Sequence, residues 1–98
     1  MTDWLATLRE QAKVGEEMAE EVSRMLSNPD ISLQQVSRLY NALEQQAQFT
    51  EKLARVLEES GHDFTVVEAA EALEELFNEL AASAAGKIKE LNQCPGKA

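Results

Sequence analysis

Apolar residues along this chain recur at intervals of three and four. Trp4, Leu8, Gln11, Gly15, Met18, Val22 and Met25 form one such series; Leu5, Ala12, Ala19 and Leu26, with Leu8, Gly15 and Val22 shared, form a second. A period near 3.6 is that of an α-helix, and two overlapping stripes predict a broad apolar face packed against two neighbours. Ser27-Asn28-Pro29-Asp30 then interrupts the pattern with residues that favour turns. The next series reads Val36, Leu39/Tyr40, Leu43, Gln46/Ala47, Thr50, Leu53/Ala54 and Leu57, and the third reads Val66, Ala70, Leu73, Phe77, Leu80, Ala84, Ile88 and Leu91.

The ends of these series carry their own signals. Ser32 and Gln35 fit a capping box, with Ile31 and Val36 placed as the hydrophobic staple around it. Ser60-Gly61 closes the second helix, glycine being the residue that tolerates a left-handed cap. Thr65 and Glu68 repeat the start grammar for the third, with Phe64 just before them. Lys87 and Lys89 fall near its end and acids near its start, as the helix dipole favours.

The predicted helices therefore span about 3–27, 32–60 and 65–92 in one domain, 1–92, followed by a flexible tail at 93–98. Each is roughly 40 Å long at 1.5 Å per residue. Connections of about four or five residues make sequential helices antiparallel neighbours. The expected fold is all-α, an antiparallel up-down-up three-helix bundle of long helices. The alternative is an open bundle completed by homodimerisation. Small residues at Ala12, Gly15 and Ala19, and along Ala81-Ala82-Ser83-Ala84-Ala85-Gly86, allow another backbone to approach.

Composition changes the picture at three points. The hydrophobic share of 44% is that of a folded protein, so acidity does not imply disorder. A single cysteine, Cys94, cannot form an internal disulfide, and Met1-Thr2-Asp3-Trp4 does not begin a secretory signal; a reduced, cytoplasmic protein is expected. No apolar run approaches the roughly 20 residues of a membrane span.

Charge changes it most. Between Val56 and Gly86 stand Glu58, Glu59, Asp63, Glu68, Glu71, Glu74, Glu75 and Glu79 with no Lys or Arg, which accounts for nearly all of the net charge of −9. On a helical wheel Glu68, Glu71, Glu75 and Glu79 lie opposite Val66, Ala70, Leu73 and Phe77, with Glu74 on their flank. The first helix holds a shorter cluster, Glu16, Glu17, Glu20 and Glu21. Glu16/Glu20, Glu17/Glu21, Glu71/Glu75 and Glu75/Glu79 are like-charged at i,i+4, each pair costing about 0.2–0.5 kcal/mol. A solvated face explains carboxylates on a bundle helix; repulsion kept along the whole face also fits a basic partner that relieves it. The expected partner-binding residues are Glu68, Glu71, Glu75, Glu79 and Glu74, with Glu16, Glu17 and Glu20.

Such a field repels nucleic acid and anionic lipid, and no basic patch accumulates, so direct nucleic-acid and membrane binding are set aside. The expected partner is a basic protein surface, for example the groove of a DNA- or RNA-binding protein. In size, charge and composition the chain resembles the small acidic helical inhibitors known among phage and mobile-element proteins.

Catalytic chemistry has little to stand on. The lone His62 follows Gly61 in a predicted turn and Cys94 lies near the C-terminus, so no nucleophile and base are expected to meet. The His and Cys inventory cannot supply a usual zinc site, and the glycines are isolated. Neither metal nor cofactor is expected. One motif points elsewhere: Glu16-Glu17-Met18-Ala19-Glu20 has the E-E-x-x-E form, and Glu75-Leu76-Phe77-Asn78 approaches E-x-x-D. These resemble the magnesium motifs of the all-α, MazG-like nucleotide pyrophosphohydrolases, which implies carboxylates on facing helices holding Mg²⁺ against a triphosphate. Asn78 replaces the acid, the gap between Glu20 and Glu75 is longer than that family's, and both motifs point away from the apolar stripes.

The reading that results is a non-enzymatic acidic binding protein, an inhibitor or adaptor. A structural or oligomerisation module that uses its apolar seams is the second reading, and the nucleotide hydrolase the third. Trp4 is expected to plug one end of the bundle. Gln11 and Gln46 fall on apolar seams, where amides need partners or set register, and Thr50 can satisfy its hydroxyl on its own helix.

Overall fold

A computed structural model describes residues 3–93; the expected tail, including Cys94, lies outside them from position 94 on. Three helices make up the described chain: α1 Trp4–Leu26, α2 Leu33–Glu59 and α3 Phe64–Asn92. No strand occurs among the described residues, so this is an all-α helical bundle.

The caps explain where the helices start. Asp3 Oδ1 accepts hydrogen bonds from the backbone N–H groups of Leu5 and Ala6, both at 3.1 Å, which satisfies two of the four donors a helix start leaves free. For α2 the capping box forms as expected: Ser32 Oγ accepts from the Gln35 N–H at 3.1 Å and Gln35 Oε1 accepts from the Ser32 N–H at 2.9 Å. Ile31 and Val36, the staple pair, are both buried. Gly61 adopts φ 77° after the C-cap Ser60, the left-handed turn that frees the chain to begin α3.

The start of α3 corrects the sequence reading. Its N-cap is Asp63, whose side chain makes no capping hydrogen bond, and Phe64 is already helical. The expected Thr65/Glu68 box therefore does not form, and Phe64, 74% exposed, staples nothing. The backbone carbonyl of Asp63 instead accepts from Val66 and Val67.

Two apolar stripes also fall differently. In α3 the buried positions are Val67, Ala70, Leu73, Phe77, Ala81 and Ala84, while Val66 and Leu80 are half-buried. The stripe thus keeps Ala70, Leu73, Phe77 and Ala84 and moves on by one residue at Val67 and Ala81, in keeping with an α2–α3 pairing that is much the most extensive in the molecule. In α1 only Gly15 and Val22 are buried. Its first series is half covered, but Leu5 and Ala12 of the second are exposed, so the broad face lacks neighbours on one side.

The core has two parts. The larger gathers Val22, Ile31, Val36, Leu39, Leu43, Ala47, Leu73, Phe77, Ala81 and Ala84. The smaller gathers Leu53, Ala54, Leu57, Val67 and Ala70, with Trp4, Leu8 and Val66 packed on it. Trp4 thus closes one end of the core. Along the α2–α3 seam Glu58 neighbours Glu71 and Glu74, while Glu44 neighbours Glu74 and Asn78. Numbers rise on one helix as they fall on the other. The shape is long, 57 × 21 × 18 Å, with a radius of gyration of 15.9 Å, against about 13 Å for a compact domain of this length. Core is therefore spread along a rod rather than gathered at a centre.

Candidate functional site

The expected ridge is present as a surface. Glu68, Glu71, Glu75 and Glu79 are all exposed on α3, opposite the buried Leu73 and Phe77. The α1 acids Glu16, Glu17 and Glu20 are exposed as well, and Glu21 pairs with Arg24 at 2.7 Å. The acidic grooves that do form draw on α2 and α3, not on this α1 cluster.

Glu74 is placed differently from its ridge neighbours. It is half-buried and turned into the α2–α3 seam, where two adjoining grooves share it. One is lined by Glu44, Ala47, Gln48, Glu51, Glu74 and Asn78, the other by Glu51, Ala54, Arg55, Glu58, Glu71 and Glu74. Desolvation pushes the Glu74 carboxyl above its ordinary range, and the charges of Glu51 and Glu71 push the same way; Arg55 opposes them. Arg55 itself approaches Glu51 at 3.5 Å, a long, exposed contact of small energy. One guanidinium thus serves a strip of five carboxylates.

That strip escaped the sequence reading, which placed the acidic face on the first and third helices and held Glu58 only as part of the acidic run. Glu44, Glu51 and Glu58 recur every seven residues, the spacing that keeps side chains on one seam. This repeat was the signal available. It extends the acidic surface from one helix to two.

A third groove differs in kind. Trp4, Phe49, Lys52, Leu53 and Val56 line an almost wholly apolar hollow between α1 and α2, and Phe49 is 42% exposed. The seam amides lie half-buried, and the Oε1 atoms of Gln11 and Gln46 are buried with no hydrogen-bond partner among the described residues. Thr50, fully buried, donates to the carbonyl oxygens of Gln46 at 2.9 Å and Ala47 at 3.0 Å. His62 sits in the α2–α3 turn, its N–H bonded to the Leu57 carbonyl.

Among the described residues no group of three or more His, Cys, Asp or Glu is placed to hold a metal ion. No described helix is long and apolar enough to cross a membrane. No family model matches the chain, nor does any curated protein or solved structure.

Proposed function

We propose that this chain is a non-enzymatic acidic binding protein, an inhibitor or adaptor that presents carboxylates of α3 and the α2–α3 seam to a basic protein surface. The groove of a DNA- or RNA-binding protein is the partner chemistry that fits, with the carboxylates standing where phosphates would lie. We read the helices as an up-down-up bundle and place the protein in the cytoplasm, in keeping with its single cysteine. The observation that carries the reading is the placement of five carboxylates, Glu44, Glu51, Glu58, Glu71 and Glu74, with one guanidinium, Arg55, along the two adjoining seam grooves that share Glu74. The Glu74 carboxyl is pushed up by burial and by Glu51 and Glu71 with only Arg55 in opposition, a site short of positive charge that a Lys or Arg from outside would complete.

The experiment is charge reversal. Glu68, Glu71, Glu75 and Glu79 are changed together to Lys, and capture of nucleic-acid-binding proteins is compared in about 0.1 M and 1 M salt, where the Debye length falls from about 10 to 3 Å. Capture by the unmodified chain that is released by salt and by competing DNA, and abolished by the reversal with helicity intact, supports the reading. Capture that survives reversal places the contact elsewhere.

The second reading, an oligomerisation module, is favoured by the poor cover of α1, where Leu5 is 37% exposed and Ala12 is exposed beside it.

A further inference from the structure

Of the three helices α1 is the least enclosed: Gly15 and Val22 are its buried residues, against eight positions of α2 and six of α3. On its uncovered side Leu5, Ala12 and Ala19 repeat every seven residues. At about 100° per residue they fall within about 40° of one another, a nearly straight apolar line along the helix. Leu5 and Ala12 are exposed and Ala19 is half-buried. Immediately outside that line stand Arg9 and Glu16, also seven apart and both exposed. The ion pairs found among the described residues are Arg24–Glu21, Arg55–Glu51 and Lys87–Glu90, so neither Arg9 nor Glu16 has a partner there.

We propose that this line receives a second copy of the chain, with two α1 helices packed antiparallel about a two-fold axis at Ala12. The proposal rests on the oligomerisation reading and names its surface; it is independent of the basic partner. A two-fold interface is self-complementary, each contact occurring twice. With the axis at Ala12, Leu5 packs on Ala19 of the partner subunit, and Ala19 on the partner's Leu5. Arg9 lies three residues before the axis and Glu16 four after it. Arg9 therefore meets the partner's Glu16 to within about one residue, or 1.5 Å of rise, which long side chains absorb.

Charge decides the orientation. In a parallel pair the same flank of the two helices points to opposite sides, and neither contact forms; antiparallel packing about that axis keeps the Arg9–Glu16 flank of both helices on one side of the interface and sets two attractions. It also relieves Glu16, whose own helix places Glu20 one turn further on. Ala12 at the crossing permits axes at the close end of the usual range of about 8–10 Å.

The test is sedimentation equilibrium of the full chain with circular dichroism as the check on folding. The unmodified chain is expected to dimerise. Arg9→Glu replaces two attractions by two repulsions and should raise the dimer dissociation constant roughly tenfold or more. Arg9→Glu combined with Glu16→Arg restores the pattern in reverse and should recover the original constant to within about threefold. In a Cys94→Ser background, Ala12→Cys should give a disulfide-linked dimer on mild oxidation and Glu17→Cys, on the far side of α1, should not. A chain that is monomeric at all concentrations overturns both the interface and the oligomerisation reading. A dimer indifferent to Arg9→Glu, or not rescued by the double reversal, or not linked through position 12, overturns this interface and leaves oligomerisation standing through another face.

Discussion

Gly15 of α1 lies so close to Leu73 of α3 that a Cβ at position 15 would come within 2.8 Å of the Leu73 Cδ1. Leu76 Cδ2 would be at 3.2 Å and the tip of the Phe77 ring at 3.7 Å. The glycine is helical and needs no unusual backbone; it is there to let two helices approach. Two effects oppose each other on substitution. Alanine gains about 1 kcal/mol of helix propensity, while overpacking a buried contact costs about 1–3 kcal/mol. Leu73, whose terminal methyl must give way, is itself buried, so the second effect outweighs the first. Gly15→Ala is expected to lower stability in urea by about 1 kcal/mol and Gly15→Leu by about 3 kcal/mol or more. Any gain in stability for Gly15→Ala would mean that α1 sits farther from α3 than described.

The helix starts separate two acidic or hydroxyl caps that look equivalent on paper. Ser32 both gives and receives in a closed capping box, whereas Asp63 makes no side-chain bond at the start of α3. Ser32→Ala should therefore cost about 1 kcal/mol. Asp63→Ala should cost a few tenths at most, the remainder of its dipole interaction. Thermal melts of the two variants check this directly, and equal losses would contradict the difference in capping.

Phe77 is the largest side chain with no exposure at all, and it sits where all three helices meet. Phe77→Ala removes the ring from the larger of the two core clusters. A loss of about 3–5 kcal/mol is expected, a large part of the total for a domain of this size. Thr50 is equally enclosed, yet its hydroxyl bonds carbonyls of its own helix. Thr50→Val strands no acceptor in a partner helix, since the Gln46 and Ala47 carbonyls belong to α2 itself, and should change stability by less than about 1 kcal/mol. Chemical denaturation of the pair tests whether burial or polarity dominates along this seam.

The helices were legible because their periodicity and punctuation agree: Ser32 with Gln35, Ser60 with Gly61, and the unbroken stripes between them. What remained hidden depended on a third body. Val67 and Ala81, rather than Val66 and Leu80, are buried because α2 rather than α1 takes most of α3, and a one-dimensional stripe cannot say which neighbour wins. The same holds for Leu5 and Ala12, apolar by pattern and uncovered in space. Glu68, Glu71, Glu75 and Glu79 were readable as an outer face from the wheel alone. Glu74 was readable only as their flank; its place beside Glu51 in the seam grooves needed the register of two helices.

That placement gives Glu74 a distinct response to pH. Burial, then Glu51, then Glu71 hold its carboxyl above the ordinary glutamate range, with Arg55 pulling the other way. The folded protein thus binds this proton more tightly than the unfolded chain does. Stability from it is fully present below the ordinary range and is lost as pH rises through the raised value. Glu74→Gln keeps the shape and abolishes the charge. The variant should be more stable than the parent at pH 7 by a few tenths of a kcal/mol, the scale of one relieved like-charge neighbour. At about pH 3, where the parent carboxyl is protonated, the two should coincide. Urea midpoints at both pH values decide it: a gain that persists at pH 3 would assign the effect to amide hydrogen bonding, and a loss at pH 7 would mean that Arg55 outweighs both glutamates.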